Sequence, residues 1–312
     1  MIELDLLVLG DANPDLVLHG GDVTPAFGQA ERIVDEANLT IGGSGGILAC
    51  GAARLGLRTA FCGVVGDDLF GRFVREELMG HGVDIGGLVV QPGRPTGVTV
   101  VMSTPDDRAM LTASGTIGDL RAELIDLRLL HSARHVHVSS FFLQQGLASD
   151  LPELFQEIRS RGGTVSLDPN WDPSGEWDGG LMRLLPRLDV FLPNAMEAMR
   201  MARISDLDQA IARLRAQTST VVIKNGGSGA IASSLGETVR VPGFPVQVRD
   251  ATGAGDSFDA GFLATWLDGQ SMERCLAVGN ACGALSTQAV GGAAGQPTMK
   301  EALALVEERS TP

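Results

Sequence analysis

Residues 249–262, RDATGAGDSFDAGF, place a carboxylate between a run of small residues and an apolar segment. The small residues at 253–255 let the backbone turn sharply and bring several N–H groups close to a ligand. Phe258 and Phe262 follow at helical spacing, so this run is expected at a helix N-terminus, where exposed N–H groups and the helix dipole favour an anion. A carboxylate does not help to bind a phosphate. Asp256 is therefore interpreted as a general base that takes a proton from a group attacking that phosphate.

The elements that must position this motif alternate along the chain. Short apolar runs, typical of buried strands, are separated by segments with helical periodicity. Strands alternating with helices predict an α/β fold whose mainly parallel sheet is covered on both faces. The predicted strands lie at 4–12, 58–68, 135–140, 164–170, 188–194 and 220–227, and helices are predicted at 44–56 and 68–82.

Polar clusters follow the predicted strands and helices at several points, and ligands bind at the carboxyl ends of strands in such sheets. A single Gly-rich loop is weak evidence, but six polar clusters at one edge indicate a site. Besides residues 249–262, they are GDANPD (10–15), GGSGG (42–46), LDPN (167–170), PNAME (193–197) and KNGGSG (224–229).

Two stretches interrupt the alternation, residues 13–40 and 89–113. Both are turn-rich or β-prone, and GVTVVMST alternates in the manner of a strand. We expect them to form a small β-sheet that projects over the active edge as a lid. The α/β core then comprises residues 1–12, 41–88 and 114–312.

Composition restricts the class of function. The net charge of −14 over 312 residues argues against general binding of nucleic acid or of an anionic membrane. No apolar run has the length of a membrane span, and the N-terminus lacks a signal-peptide pattern. The four cysteines, Cys50, Cys62, Cys275 and Cys282, are far apart without a C-x-x-C pair, which is typical of reduced thiols in a cytoplasmic protein.

The chain resembles the ribokinase family, the PfkB-type carbohydrate kinases. DATGAGDSFDAGF is similar to the C-terminal signature of that family, and IGGSGGILACGAARLG resembles the N-terminal signature. GVVGDDLFG and PNAMEA resemble the family patterns V-G-x-D-x-x-G and N-x-x-E. The resemblance covers essentially the whole chain and implies a ribokinase-like fold and ATP-dependent phosphorylation of a hydroxyl group.

The resemblance implies roles for individual residues on the nucleotide side. Asp256 matches the catalytic base, and Gly253, Ala254 and Gly255 match the anion hole that stabilises the transferring phosphoryl group. Asn194 and Glu197 match N-x-x-E, which helps to hold Mg²⁺ and the phosphates, largely through water. The remaining matches are Lys224, Gly226 and Gly229 in the nucleotide loop, Asn280 near the adenine, and Asp250 where some relatives bind an activating monovalent cation such as K⁺.

On the acceptor side, Asn13 and Asp15 match the N-x-D that hydrogen-bonds sugar hydroxyls, because a carboxylate accepts and an amide both donates and accepts. Gly42 and Gly43 let the backbone approach the sugar. Ser139 and Ser140 end a central strand and could also face the acceptor.

Three departures from the family bear on the acceptor. Ile47 stands where many sugar kinases carry asparagine, and Asp172 replaces the arginine of D-P-N-x-R. Gly97 stands where kinases of phosphosugars tend to have arginine. These differences predict a pocket unlike that of typical ribokinases or fructokinases and argue against an acceptor that already bears a phosphate.

Several functional hypotheses stay open at this stage. The first is a kinase for a neutral sugar, and the alternative acceptors are a nucleoside or a keto-sugar acid. A catalytically weak sensor of sugar or nucleotide is a second class. A Rossmann dehydrogenase is set aside because the first strand ends in GDANPD and not in G-x-G-x-x-G. The lid is expected to leave sheet edges that pair two copies into a homodimer.

Overall fold

A computed structural model describes residues 4–104, 108–234 and 236–310 of the chain. Within these residues, two sheets and ten α-helices are formed. The strands are β1 Leu4–Leu9, β2 Asn13–Gly21, β3 Val34–Gly42, β4 Thr59–Gly66, β5 Asp84–Gln91, β6 Val98–Ser103, β7 Arg108–Ala113, β8 Ala133–Val138, β9 Thr164–Leu167, β10 Val190–Phe191, β11 Val221–Lys224, β12 Ala230–Ser234 and β13 Glu237–Val241. The helices are α1 Ser44–Arg54, α2 Leu69–Gly80, α3 Leu127–Ser132, α4 Leu151–Ser160, α5 Leu181–Leu184, α6 Ala195–Ala202, α7 Leu207–Arg215, α8 Ala254–Leu267, α9 Met272–Ser286 and α10 Met299–Ser310.

The large sheet has the strand order β13-β12-β11-β10-β9-β8-β1-β4-β5. Its strands pair in parallel from β5 to β11, and β12 and β13 add an antiparallel edge. The predicted α/β fold with a mainly parallel sheet is confirmed. Because the seven parallel strands run the same way, their carboxyl ends lie at one edge of the sheet.

Apolar packing on both faces explains why these segments form strands. All eight residues of β4, TAFCGVVG, are buried, as expected for an inner strand of a sheet covered on both sides. Alternate residues of β1 face different cores: Leu7 and Leu9 join one, and Leu6 and Val8 join the other. The first core packs against α3 to α7 and the second against α1, α2, α8, α9 and α10.

The smaller sheet has the order β3-β2-β6-β7 and is built from the two stretches that interrupted the alternation. β2 pairs with β6 in parallel, and the outer strands β3 and β7 are antiparallel to them. Residues 89–91 lie in β5 of the large sheet. The use of the smaller sheet as a lid stays a prediction, with the domain boundaries given above.

None of the described helices is long and apolar enough to cross a membrane.

A buried ion cluster ties the catalytic helix to the edge of the large sheet. The ammonium of Lys224, at the end of β11, lies 2.8 Å from a carboxylate oxygen of Asp168 and 2.8 Å from one of Asp259. Asp168 directly follows β9, and Asp259 lies on α8. The side chain of Lys224 is only 11% exposed, so these contacts are shielded from water. We call these three residues the Lys224 triad.

The electrostatics of the Lys224 triad differ between its two carboxylates. Burial lowers the pKa of Lys224, but the charges of Asp168 and Asp259 outweigh that effect and raise it above its ordinary value. Burial also opposes ionisation of Asp168, yet the charge of Lys224 brings the pKa of Asp168 below its usual value. Burial and the charge of Asp168 raise the pKa of Asp259 well above its usual value, whereas the charge of Lys224 lowers it and favours the ionised form. The ammonium is thus the group that makes two adjacent buried carboxyls tolerable.

We expect Lys224→Met to lower the free energy of unfolding by about 3–5 kcal/mol, since removing one partner leaves buried carboxyls without a counter-charge. Urea denaturation at pH 8 measures this loss. Lys300 is the other lysine of the chain and is exposed on α10, which makes Lys300→Met the matched control. The control is expected to change stability by less than about 0.5 kcal/mol. Equal stability of the two variants would contradict a structural role for the Lys224 triad.

Candidate active site

The N-terminus of α8 lies at the carboxyl edge of the large sheet. Gly253 precedes the helix with φ 71°, a left-handed conformation that favours glycine, and a Cβ there would approach Gly292 Cα to 2.7 Å. Among the described residues no side chain caps this helix. Ala254 N donates a long hydrogen bond to the carbonyl oxygen of Ala251 at 3.4 Å. The N–H groups of Gly255 and Asp256 remain available to an anion, as the small residues predicted.

Asp256 lies in this first turn and is partly buried. Burial and the charge of Asp168 raise the pKa of Asp256 to about 7, although a hydrogen bond from Ser44 and the charge of Lys224 act in the opposite direction. One oxygen, Oδ1, accepts the hydrogen bond from Ser44 Oγ. Its other oxygen, Oδ2, has no hydrogen-bond partner within the described parts of the chain. A carboxylate with a raised pKa and one free oxygen has the properties of a general base near neutral pH.

The predicted acceptor residues Asn13 and Asp15 meet at the start of β2. Asn13 Nδ2 donates to Asp15 Oδ1 at 3.0 Å and to Thr99 Oγ1 at 3.3 Å, so the amide and the carboxylate form one buried unit. A Cβ on Gly42 would lie 2.1 Å from the carboxyl group of Asp15. Gly42 thus makes room for Asp15, and Gly43 follows it as the N-cap of α1.

The acceptor side is acidic. Burial and the charge of Asp11 raise the pKa of Asp15 to about 7, with further contributions from Asp256 and Asp250. Burial also raises the pKa of Asp11, which lies two residues after the end of β1. Asp15 and Asp256 are therefore close enough for their charges to interact. An acceptor-binding site between these two residues requires that proximity.

A cavity of about 390 Å³ lies on the other side of the α8 N-terminus. It contains most of the residues predicted to bind ATP, together with two residues of the anion hole. Its predicted lining residues are Lys224, Gly226, Gly229, Ala254, Gly255 and Asn280. Phe244, Pro245 and Val246, which the sequence analysis had not singled out, supply an apolar wall together with Phe258 of α8.

Two polar residues of this cavity are fixed by the protein itself. Asn280 Nδ2 donates to the carbonyl oxygens of Val241 and Pro242 at 3.0 and 3.3 Å, which orients its amide. Lys224 belongs to the Lys224 triad, and its ammonium lies 3.6 Å from the place a Cβ would take on Gly255. Lys224 is thus close to the anion hole while it holds two carboxylates.

Asn194 and Glu197 form a capping box at the start of α6. Glu197 N donates to Asn194 Oδ1 at 2.9 Å, and Asn194 N donates to Glu197 Oε2 at 2.8 Å. Burial and the charge of Asp168 raise the pKa of Glu197 to about 7. The two hydrogen bonds of this capping box therefore stabilise the start of α6. They use Oε2 of Glu197 and leave Oε1 for a ligand.

The donor set fits magnesium held together with a nucleotide. The described residues contain no group of three or more His, Cys, Asp or Glu side chains arranged to hold a metal ion alone. Mg²⁺ usually takes one or two carboxylates, several waters and substrate phosphates, and the Glu197 carboxylate, with Oε1 outside its capping box, fits that chemistry.

Asp250 joins two loops near the N-terminus of α8. Its Oδ1 accepts from Thr252 N at 2.9 Å and from Thr252 Oγ1 at 2.7 Å, and its Oδ2 accepts from Gly291 N at 2.9 Å. Asp250 thereby stabilises the turn that leads into residues 253–255. A monovalent cation at Asp250 stays a prediction.

Two of the residues that depart from the family pattern, Ile47 and Asp172, have structural roles: Ile47 packs in the interior and Asp172 organises a loop. Ile47 is buried, and its Cγ2 atom lies 3.0 Å from the position of a Cβ on Gly253. Asp172 accepts hydrogen bonds from Ser174 and Trp177 with both oxygens, so this carboxylate organises its own loop. Ser139 and Ser140 are buried at the end of β8.

The chain matches a known family and known proteins over almost its whole length. The model of the pfkB family carbohydrate kinase matches residues 4–299. An ATP-dependent ribose-1-phosphate kinase from Halopiger xanaduensis is 32% identical, over 97% of this chain and 98% of that protein.

Solved structures of similar shape cover almost the whole chain. A putative ribokinase II from E. coli, in complex with ATP and Mg²⁺, has a TM-score of 0.86 at 25% identity, and the match covers 98% of this chain and 99% of that one. The ribokinase of Arabidopsis thaliana, complexed with ribose and ATP, has a TM-score of 0.83 at 26% identity, with 97% and 99% covered. These matches confirm the ribokinase-like fold and the predicted class of enzyme, a phosphotransferase with an alcohol group as acceptor. The chain belongs to the pfkB family of carbohydrate kinases.

Proposed function

We propose that this protein is an ATP-dependent kinase that transfers the γ-phosphate to a hydroxyl of a neutral sugar or sugar-like acceptor. The observation that carries the proposal is the position of Asp256. It lies at the uncapped N-terminus of α8, next to the cavity lined by Ala254 and Gly255 and within electrostatic reach of Asp15.

In the proposed reaction, Asp256 Oδ2 takes the proton of the acceptor hydroxyl. The acceptor oxygen forms a bond to the γ-phosphorus, the bond from that phosphorus to the β,γ-bridging oxygen breaks, and ADP leaves. The N–H groups at residues 253–255 stabilise charge on the transferring group. Such a donor is worth about 3 kcal/mol in acyl transfer, and a similar order is expected here.

Asn194, Glu197 and Lys224 surround the phosphates of ATP in this proposal. Glu197 Oε1 would hold Mg²⁺ through water, and the bound ion would neutralise phosphate charge. Gly226 and Gly229 allow close approach of the nucleotide, and Asn280 lies near the adenine. Asp250 is retained as the site of an optional monovalent cation.

The charges on the acceptor side favour a neutral acceptor. Asn13 and Asp15 are proposed to bind adjacent sugar hydroxyls, with the backbone of Gly42 and Gly43 close by. Asp11 and Asp256 add carboxylates to the same region. A phosphate on the acceptor would be repelled by these groups.

A phosphorylated sugar is the second candidate acceptor. The Halopiger relative is named for ribose-1-phosphate, and a cleft of about 330 Å³ lies further along β2. Val17 and His19, which share a face of β2 with Asp15, line this cleft together with Arg249. Arg249 is a cation that a phosphate group could use.

The smaller sheet is proposed to act as a lid and as a dimer interface between two copies of the chain. By strand register, the face opposite Asp15 carries eight apolar side chains, with Asp35 at one end beside Gly20: Leu16, Leu18, Ala37, Leu39, Val100, Met102, Ala109 and Leu111. Leu39 and Leu111 are 45% and 63% exposed. An apolar face that spans four strands is costly in water, and a second copy would cover it.

The first prediction for this function concerns turnover. The rate of ATP consumption is measured with neutral sugars, sugar acids and nucleosides as acceptors. It should rise with one class of acceptor and should require Mg²⁺. Asp256→Asn should lower that rate by about a hundredfold or more, since it removes the general base. Asp268→Asn, an exposed carboxylate just after the same helix, is the matched control and should retain the rate. Binding of ATP or sugar without turnover under any condition would replace the kinase proposal with a sensor.

The second prediction separates the two acceptor candidates. We expect kcat/KM for ribose to exceed that for ribose-1-phosphate by at least about tenfold, because of the carboxylates on the acceptor side. Arg249→Ala should leave the reaction of the neutral sugar unchanged. A preference for ribose-1-phosphate that falls by about tenfold in Arg249→Ala would establish the phosphorylated acceptor instead.

The third prediction concerns assembly. The double variant Leu39→Asp and Leu111→Asp should convert a dimer into a monomer, as measured by light scattering after gel filtration, because charges on the apolar face prevent its burial. Leu127→Asp, at an exposed leucine of α3, is the control and should remain dimeric. A monomeric parent protein would contradict the proposed interface.

A further inference from the structure

The first residue of α1 contacts the proposed catalytic base. Ser44 is buried, and its Oγ donates a hydrogen bond to Asp256 Oδ1 on α8. The two residues are 212 positions apart in the chain. In the sequence, Ser44 is only the centre of GGSGG, and the roles proposed for the neighbouring glycines do not use it.

The N-terminus of α1 is held in place by Asp11. Gly46 N donates to the carbonyl oxygen of Asp11 at 2.9 Å, and Gly45 N donates to its carboxylate at 3.3 Å. Asp11 itself is buried, two residues after the end of β1. Because the helix start is fixed to the sheet at two points, Ser44 has a defined position from which to meet Asp256.

We propose that Ser44 is a positioning residue, which fixes the Asp256 carboxylate through Oδ1 and stabilises its ionised form, so that Oδ2 is free to take the proton of the acceptor. The inference rests on the proposed kinase function and adds to it a determinant of the pH range in which the base works. Ser44 touches the base and is not assigned any contact with the reacting atoms.

The surroundings of Asp256 make this hydrogen bond necessary. Burial and neighbouring carboxylates favour the protonated form, in which Asp256 cannot act as a base. Ser44 and Lys224 are the groups that favour the ionised form. The charged groups that act on Asp256 from neighbouring elements are Asp11, Asp15, Asp168, Glu197 and Lys224.

Loss of the Ser44 hydroxyl should restrict the activity of Asp256 at acid pH. A hydroxyl that donates to a carboxylate lowers the pKa of that carboxylate, so its removal raises the pKa of Asp256. A base with a higher pKa is protonated over a wider range of acid pH. The variant Ser44→Ala should therefore lose activity mainly below and around neutral pH and recover as the pH rises.

The test is the pH dependence of kcat/KM for the purified full chain between pH 5.5 and 9.5. In Ser44→Ala the acidic limb should move to higher pH by about one unit, which corresponds to one hydrogen bond to a charged group. The rate should fall by about tenfold at pH 6 and lie within about threefold of the parent at pH 9. Ser44→Thr keeps the hydroxyl and should restore the parent profile.

A second readout does not depend on turnover. The pKa of the Asp256 carboxyl, followed by carbon-detected NMR titration and assigned by its absence in Asp256→Asn, should rise by about one unit in Ser44→Ala. A shifted pKa in a protein without kinase activity would support the contact and refute the proposed function. An equal loss of rate at every pH, with the pKa of Asp256 unchanged, would overturn the proposal for Ser44.

Discussion

The contact between one buried ammonium group and two carboxylates is the constraint on which the site depends. Lys224 ends β11, Asp168 follows β9, and Asp259 lies one turn after Asp256 on α8. The Lys224 triad therefore joins two strand ends to the helix that carries the proposed base. Breaking such a buried contact is expensive, because the remaining charges lie where water cannot compensate them. The same contact fixes the position of the helix N-terminus and the charge that surrounds Asp256.

The site divides into two regions with different electrostatics on either side of Asp256. The nucleotide cavity contains the ammonium of Lys224 and the free N–H groups of the first helical turn, which suit phosphates. The acceptor side contains Asp11 and Asp15; burial raises the pKa of both, and the charge of Asp11 raises that of Asp15 further. This asymmetry is the physical basis for a phosphate donor on one side and a neutral hydroxyl acceptor on the other.

Much of the fold and of the nucleotide side could be predicted from the sequence, because the signals are local. Alternating apolar runs predicted the sheet, and the small residues before Asp256 predicted the turn into α8. Contacts between distant segments could not be predicted, such as the bond from Ser44 to Asp256. Asp259 has no local signal that separates it from any polar residue on a helix, and its role follows only from Lys224. Asp172 looked like part of a pocket, whereas the structure uses its oxygens within residues 172–177.

The most direct test of the central claim, that the α8 N-terminus is the place of phosphoryl transfer, is a crystal structure with a non-hydrolysable ATP analogue, Mg²⁺ and the acceptor found by turnover. The account predicts the γ-phosphate against the N–H groups of residues 253–255. It also predicts the acceptor hydroxyl within hydrogen-bond distance of Asp256, on the side of Asp15. A γ-phosphate bound away from α8, or an acceptor whose hydroxyl does not reach Asp256, would contradict the account.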